Sequence, residues 1–305
     1  MMPTERGGLT MPSVPPLYKY VVPERADVLQ HLRIRFTPPD QLNDPFDSNP
    51  FVSDAFSPAA LASTSLSRNT TEWLERNGAD ILAELGVISF ANGPSQQLFE
   101  TSRIAETLNS IKDPDARAFA IEMSMFTART TLQQVCGVLS LTERPANILM
   151  WTHYAANHRG LVLGFDGTHR FFSRPGWTHA SVDLAAANRV MYSRNRPEFR
   201  YMTDVTKTAA FLTKSLEWEY ECEWRMLRTV EDTHEIKFIN GQEIWLFELP
   251  ADAVWCVVLG AAATRETETT VRNTIRANRE LNHVALYRAS IDSKLFRINL
   301  AEIPR

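Results

Sequence analysis

The 305-residue sequence contains only three cysteines, Cys136, Cys222 and Cys256, and they lie far apart along the chain. Three is an odd number, and no two of them have the close spacing of a zinc-binding motif. Each cysteine has apolar or aromatic neighbours, so we expect reduced thiols in the core of a cytoplasmic protein. The pattern therefore argues against a disulfide framework and against a cysteine-based zinc site.

The sequence also lacks a large excess of either charge and lacks a long apolar run. It has 32 basic and 36 acidic residues, with a formal net charge of -4 and a pI of about 6.0. A dedicated nucleic-acid-binding protein would have an overall basic excess. The longest apolar run, residues 253–263, is shorter than the roughly 20 residues that a membrane-spanning helix needs. Because residues 1–16 show no apolar segment of a secretory signal, we expect a cytoplasmic protein that does not cross a membrane.

No GxGxxG, GxxxxGK[ST] or GxSxG motif is present. These motifs mark common dinucleotide-binding, P-loop and hydrolase folds. If this protein binds a nucleotide, another kind of site must hold it. The composition is otherwise ordinary for a globular protein, and its 44% hydrophobic content is sufficient for a sizeable core.

Hydrophobic periodicity predicts a mixture of short strands and helices. The predicted strands are 17–22, 33–36, 135–141, 161–165, 189–193, 237–247, 253–259, 283–289 and 295–298. The predicted helices are 24–32, 148–157, 205–216 and 264–278.

The strands are too numerous for a simple βαβ series, which favours an α+β fold with a mixed, mainly antiparallel central sheet. Residues 53–134 are rich in Ala, Ser, Thr, Leu and Glu, and we interpret them as a helical insertion. Residues 1–16 combine Pro, Gly and Thr without periodicity, which is typical of a flexible arm. The predicted organisation is one domain over 17–305 that contains this insertion.

The segment from Lys214 to Arg225, with the sequence KSLEWEYECEWR, has the most informative pattern. From Trp218 onward apolar and charged residues alternate, which predicts a strand with Glu221, Glu223 and Arg225 on one face. The two carboxylates repel each other unless Arg225 or a bound cationic group lies close by. Such a pair can hold a substrate hydroxyl or stabilise a developing positive charge. The alternative is the solvent-exposed face of an amphipathic strand.

Two further segments contain candidate polar groups. In LNDPFD, residues 42–47, Asn43 and Asp44 precede a proline, which predicts either a local Asx turn or a loop that contacts substrate. His153 lies on a predicted helix and is either an acid–base or hydrogen-bonding group in a cleft, or a structural histidine. His158 is five residues further along, so the two rings do not share a helix face as the ligands of an HExxH metal site do.

Taken in chain order, several of these segments resemble the motifs of the bacterial family named domain of unknown function 2971. They are LYKY, LNDPFD, MWTHYAANHRGLVLGFD, YSRNRP and TKSLEWEYECEWR, spread over residues 17–228. The name of this family carries no activity. The resemblance therefore implies the extent of the fold more than the chemistry.

The sequence also resembles ADP-ribosyltransferase-like domains, in fewer features. In such domains an early strand grips the nicotinamide ribose, an aromatic residue stacks on nicotinamide, and a late strand carries a glutamate, sometimes within an ExE motif. By this resemblance LYKY is the early strand, Tyr154 or Tyr192 is the stacking residue, and Glu221-Cys222-Glu223 is the ExE motif. Lys19 stands where those domains have histidine or arginine, and no Ser-Thr-Ser segment is present.

The second resemblance implies an ADP-ribosyltransferase-like fold and an enzyme that acts on NAD or a related nucleotide as its substrate. Such an enzyme would act as a toxin or as a stress or phage-defence effector, with a protein or nucleic acid as acceptor. The candidate catalytic residues are Glu223, Glu221 and His153. The candidate substrate-binding residues are Tyr18, Lys19, Tyr20, Asn43, Asp44, Tyr154, Tyr192 and Arg225.

Two other functions fit the same residues. A metal-dependent nuclease or hydrolase would use Asp44, Asp47, Glu221 and Glu223 as oxygen ligands for magnesium. A non-catalytic binding module would instead use tryptophans and tyrosines as a partner surface. The first alternative predicts loss of activity in EDTA, and the second predicts that the glutamates can be neutralised without loss of function.

Overall fold

The computed structural model describes residues 14–48, 51–52, 111–115, 117, 136–173, 178–179, 182–199 and 208–305. The predicted arm over 1–16 and the predicted helical insertion over 53–134 therefore lie almost entirely outside the described residues. The chain forms two compact units. The first comprises Met1–Leu32, Leu141–Arg174 and Leu249–Arg305, and the second comprises Arg33–Ser140 and Pro175–Glu248.

The first unit is built on a sheet of long, apolar strands. Its order is β17 (Ile298–Glu302), β16 (Ala285–Ile291), β15 (Val254–Leu259), β5 (Leu161–Phe165) and β1 (Leu17–Val21), followed by the end of β4 (Cys136–Thr142). Neighbouring strands are antiparallel except for β15 and β16, which are parallel. Every residue of β5 is buried, so this strand lies at the centre of the core.

Three helices accompany this sheet: α1 (Asp27–His31), α2 (Ile148–Tyr154) and α4 (Arg265–Ala277). α4 connects β15 to β16, because two parallel strands need a crossover connection. The hydroxyl of Thr264 caps α4 by accepting a hydrogen bond from the Thr267 amide at 3.1 Å. Val271 and Ile275, four residues apart, form the buried face of this helix.

The second unit contains shorter strands in several small groups. β12 (Glu223–Thr229) neighbours β4 and pairs antiparallel with β8 (Asn188–Arg189), while β11 (Thr213–Ser215) pairs parallel with β9 (Met191–Ser193). β2 (Arg33–Phe36), β13 (Glu235–Ile239) and β14 (Gln242–Glu248) form an antiparallel sheet in the order β13-β14-β2. The short α3 (Thr208–Leu212) leads into β11. The remaining strands of this unit are β3 (Phe51–Val52), β6 (Thr178–His179), β7 (Val182–Asp183) and β10 (Glu198–Phe199).

The core of the second unit forms where strands β4 and β12 and helix α3 contribute apolar side chains. Cys136, Val138, Phe211 and Leu227 belong to one buried cluster there. Burial raises the pKa of the Cys136 thiol to about 12, which keeps it protonated at neutral pH. No disulfide joins the three cysteines, and Cys222 is only half-buried, so it is not the core residue that the sequence predicted.

The predicted α+β class and the mainly antiparallel sheet are confirmed. β2 and β5 begin and end at the predicted residues. The single strand predicted for residues 237–247 is wrong, because the chain makes a hairpin there. Asn240 and Gly241 adopt φ values of 52° and 79° and form its two-residue turn.

The strand predicted from Trp218 onward is wrong in its first half. Leu216–Glu221 forms a 3-10 helix, which begins where the Ser215 hydroxyl accepts a hydrogen bond from the Glu217 amide at 3.4 Å. Cys222 then adopts a left-handed conformation with φ of 44°, and only from Glu223 onward is the chain extended. The helix predicted for 205–216 likewise ends at Leu212, because the next residues pair with β9.

Within the part of the chain that the structure describes, no helix is both long enough and apolar enough to span a membrane.

Candidate functional site

The acidic segment lies at the centre of a buried network of charged side chains in the second unit. The network contains three carboxylates and two cations, and none is more than 7% exposed: Asp47, Glu221, Glu223, Lys214 and Arg225. Burying an isolated charge costs several kcal/mol. The buried charges of this network are therefore stable only because each one contacts a group of opposite charge. The alternative of a solvent-exposed face for Glu221 and Glu223 is wrong.

Arg225 connects two carboxylates that are distant in sequence. Its Nε donates to Glu223 Oε1 at 2.7 Å, and one terminal nitrogen donates to Glu223 Oε2 at 3.0 Å. The two terminal nitrogens also donate to Asp47 Oδ1 and Oδ2 at 2.6 and 2.5 Å. A further bond of 2.7 Å goes to the Phe211 carbonyl. The planar guanidinium thus fits two carboxylates in bidentate geometry, which a lysine could not do.

Lys214 joins the two glutamates from the other side. Its Nζ lies 2.6 Å from Glu221 Oε2 and 3.2 Å from Glu223 Oε2. The repulsion expected between the glutamates is therefore relieved by Lys214 as well as by Arg225. Burial by itself would lower the pKa of Lys214, but the two glutamates reverse the effect and raise that pKa above its ordinary value.

The local backbone explains how two glutamates, one at the end of a 3-10 helix and one at the start of β12, reach one ammonium group. β11 places Lys214 in register with Tyr192 of β9. The 3-10 helix then carries the chain around, and the left-handed Cys222 redirects it into β12. Glu221 and Glu223, on either side of this bend, consequently both point toward Lys214.

Glu223 is held in its ionised form. Burial alone would raise the pKa of its carboxyl group, but the nearby charges of Arg225 and Lys214 and hydrogen bonds from Arg225 and Ser140 lower that pKa to about 2. A carboxylate with so low a pKa is a weak proton acceptor at neutral pH. It is suited to electrostatic stabilisation of positive charge and not to general base catalysis.

Tyr192 contacts the backbone of the network and not its charges. Its hydroxyl accepts a hydrogen bond from the Glu223 amide at 2.7 Å, and the Val190 amide donates to the Glu223 carbonyl at 2.9 Å. Burial raises the pKa of Tyr192 above its ordinary value, with a further contribution from Glu223 and Glu221. Tyr192 thus holds the first residue of β12 in place through its backbone.

Two aromatic side chains of the 3-10 helix lie beside the network. The ring centroid of Trp218 is 4.7 Å from Lys214 Nζ, within cation–π distance. Tyr220 follows at a centroid distance of 6.1 Å from Trp218, and both side chains are half-buried. Lys214 and Trp218 were not predicted as site residues, although both lie in the acidic segment and its composition could have indicated them.

The LNDPFD loop forms an Asx turn, which is one of the two alternatives that its sequence predicts. Asp44 Oδ1 accepts a hydrogen bond from the Phe46 amide at 2.9 Å, and the Asp44 carbonyl accepts one from the Asp47 amide at 3.0 Å. This turn, which directly follows Asn43, presents Asp47 to Arg225. Asp44 is 5% exposed, and its second carboxylate oxygen has no hydrogen-bond partner among the described residues.

The other candidate residues lie in the first unit. Tyr18, Lys19 and Tyr20 belong to β1, and His153 and Tyr154 belong to the last turn of α2. The Tyr20 hydroxyl donates to the Arg144 carbonyl at 2.6 Å and accepts from the Asn147 amide at 3.2 Å.

These bonds connect Tyr20 to the residues just before α2. The His153 ring is exposed and lies 6.4 Å from that of Tyr154, centroid to centroid. The catalytic role of His153 and the substrate-binding roles of the other four residues stay predictions.

The described residues contain no group of three or more His, Cys, Asp or Glu side chains placed to hold a metal ion. In the proposed magnesium set, Asp47, Glu221 and Glu223 direct their oxygens to Arg225 and Lys214. The metal-dependent nuclease or hydrolase stays a prediction.

The family comparison covers the part of the chain that contains most of these features. Residues 150–226 match the model of the family described as "Protein of unknown function (DUF2971)". The match runs from Met150 in α2 through β5 and the acidic segment to Met226 in β12, and it confirms the resemblance to this family over that range. Comparison with curated proteins and with solved structures yields no significant match.

Proposed function

We propose that this protein is an NAD-cleaving enzyme of ADP-ribosyltransferase type, with Glu223 and Glu221 as the carboxylates that stabilise the transition state. The observation that carries the proposal is the ionised, fixed carboxylate of Glu223, with its pKa of about 2 and its two cationic partners. Electrostatic groups that are oriented before the reaction stabilise a transition state without reorganising during it.

The chemistry needs such a group because the bond between nicotinamide and ribose breaks toward a cation. The electron pair of this bond leaves with neutral nicotinamide, and the ribose carbon becomes an oxocarbenium ion. Water or an acceptor nucleophile then bonds to that carbon and releases a proton to solvent. Glu223 supplies negative charge near the cation and takes no proton, as its low pKa requires.

Trp218 is the aromatic side chain that we assign to the nicotinamide ring. It lies over Lys214, which itself contacts both glutamates. A ring stacked on Trp218 would bring its ribose bond next to Glu221 and Glu223, the two carboxylates that Lys214 contacts. For the substrate to reach Glu221, the Lys214 ammonium must first leave that carboxylate. The positive charge of the substrate then replaces the positive charge of Lys214.

An NAD-cleaving activity suits a toxin or phage-defence effector that acts in the bacterial cytoplasm, because loss of NAD stops metabolism there. The test is release of free nicotinamide from NAD by the purified protein. Glu223→Gln is expected to lower the rate by about 10²–10³-fold, the usual effect of removing one electrostatic group from an active site. Glu221→Gln is expected to lower it as well.

Asp47→Asn is the matched control for these variants. It weakens the same buried network at the other end of Arg225, so it costs stability, but it leaves both glutamates in place. A folded Asp47→Asn protein should keep its nicotinamide release. No release by the wild type, or equal loss in Asp47→Asn and Glu223→Gln at matched thermal stability, would contradict the proposal.

A second candidate function is a non-catalytic binding module, favoured by the saturation of the Glu223 carboxylate. Both of its oxygens accept bonds from cations, and it is 3% exposed. In this case the network only stabilises the fold, and aromatic side chains such as Trp218 bind the partner. Neutral glutamate variants that fold would then retain partner binding, and Trp218→Ala would lose it.

A further inference from the structure

Strand β13 has an unusual number of exposed apolar side chains for a strand at the edge of a sheet. Phe238 is 74% exposed, Ile239 51% and Ile236 42%. β13 pairs with β14 on one side, and it is the outer strand of the β13-β14-β2 sheet among the described residues. Long apolar edge strands tend to pair with another chain unless charges or bulges prevent it.

The hairpin turn fixes which backbone groups of β13 are available at the open edge. Ile239 and Gln242 flank the two-residue turn, and such flanking residues exchange both of their hydrogen bonds. Hydrogen-bonded and non-hydrogen-bonded pairs alternate along an antiparallel ladder. Lys237 therefore directs its backbone groups toward β14, while Phe238 and Ile236 direct theirs outward. The alternation ends at the start of the strand, where the His234 amide donates to the Leu246 carbonyl at 2.9 Å.

We propose that two copies of this protein associate by antiparallel pairing of β13 with β13, with Ile236 opposite Ile236 of the second copy. In this register the outward backbone groups of Ile236 exchange both hydrogen bonds across the two-fold axis. Glu235 then lies opposite Lys237 of the second copy, and the same pair occurs again on the other side of the axis. Cross-strand pairs of opposite charge are favourable.

The charges select this register over its nearest competitor. Pairing centred on Lys237 would also match outward backbone groups, because Ile236 would lie opposite Phe238 of the second copy. It would, however, place Lys237 directly opposite itself, and like charges at that position destabilise a sheet. Within one chain, Lys237 Nζ lies 3.4 Å from Glu235 Oε2, and both side chains are about half-exposed. Both are therefore accessible for the cross-strand pairs.

The small size of this interface sets the expected strength of the dimer. A five-residue strand buries less than the roughly 1,200–2,000 Å² of a stable interface. We therefore expect association that depends on protein concentration. Sedimentation velocity should show the average mass rising toward that of a dimer as concentration increases, and a monomer at all concentrations overturns the proposal.

Hydrogen exchange supplies an internal control in the same strand. The amides of Ile236 and Phe238 should exchange more slowly as concentration rises, because by this alternation both face the open edge and would bond to the second copy. The amide of Lys237 faces β14 by the same alternation, so its exchange should not change. Equal slowing at all three amides, or at none, contradicts pairing through the open edge of β13.

Charge variants test the register. Lys237→Glu should abolish association, and Glu235→Lys combined with Lys237→Glu should restore it, because the opposite pairs are then only exchanged. Lys237→Ala should weaken the dimer, whereas strengthening would show the Lys237-centred register and overturn ours. These side chains are exposed, so each variant should keep the thermal stability of the wild type.

Discussion

Two carboxylates in this protein, Glu223 and Glu268, have nearly the same chemical partners but very different surroundings. Glu223 contacts Arg225 and Lys214 and is 3% exposed. Glu268 contacts Arg272 and Arg288 at 2.7 and 2.6 Å, and its side chain is 25% exposed.

The comparison shows that ion pairs of similar geometry can differ in their effect on stability. A surface ion pair contributes little free energy, because water already solvates both charges and salt screens them. When one partner of a buried pair is removed, the remaining charge has neither water nor a counterion, and the protein loses much more stability. We therefore expect the same substitution to have very different effects in the two networks.

The largest difference should appear when one arginine is removed from each network. Arg225→Met leaves Asp47 and Glu223 buried without their shared cation, and we expect a loss of about 3–5 kcal/mol in the free energy of unfolding. Arg272→Met, the matched surface variant, should cost about 0.2–1 kcal/mol. Urea denaturation measures both, and similar losses in the two variants would show that burial does not control the effect.

Acid should weaken the buried network by a smaller amount. The folded pKa of Glu223, about 2, is below its ordinary value of 4.5, so the unfolded chain takes up this proton first as the pH falls. The stabilisation by ionised Glu223 is complete above about pH 4.5 and is lost as the pH falls toward 2. Glu223→Gln should lack this part of the pH dependence. Parallel stability–pH curves for the variant and the wild type would contradict the assignment.

The smallest effect should come from Glu268→Gln. Hydrogen bonds from Arg272 and the charges of Arg272 and Arg288 lower the pKa of Glu268, but water also reaches this carboxylate. The expected cost is about 0.2–1 kcal/mol at low ionic strength, and it should largely disappear in about 1 M salt. A loss that high salt leaves unchanged would indicate that this pair is effectively buried.

The parts of the fold that were predicted correctly are those that a single local sequence pattern determines. The apolar run of Leu161–Phe165 predicted β5, and the polar helix expected over 264–278 begins at its Thr264 cap. The hairpin of β13 and β14 was missed, although the dipeptide Asn240-Gly241 is a strong turn signal. Here the turn chemistry outweighed the apolar character that suggested one long strand.

The candidate site was only partly predictable because its partners are distant in sequence. The alternation after Trp218 indicated a charged face, and from Glu223 to Met226 the charged and apolar residues do alternate as expected. No pattern could reveal that Asp47, 178 residues from Arg225, completes its bidentate pairing. The left-handed Cys222 was also unpredictable, since cysteine has no special preference for that conformation.

The hydrogen bond that the Tyr192 hydroxyl accepts from Glu223 has a consequence for variants that remove the charges. Together with the bond from the Val190 amide, it anchors the main chain of Glu223 at both its nitrogen and its oxygen. A neutral glutamine at position 223 leaves these two anchors intact. β12 should then keep its register when the ion pairs of residue 223 are removed. Such variants should lose the stabilisation by these ion pairs without a shift of the strand.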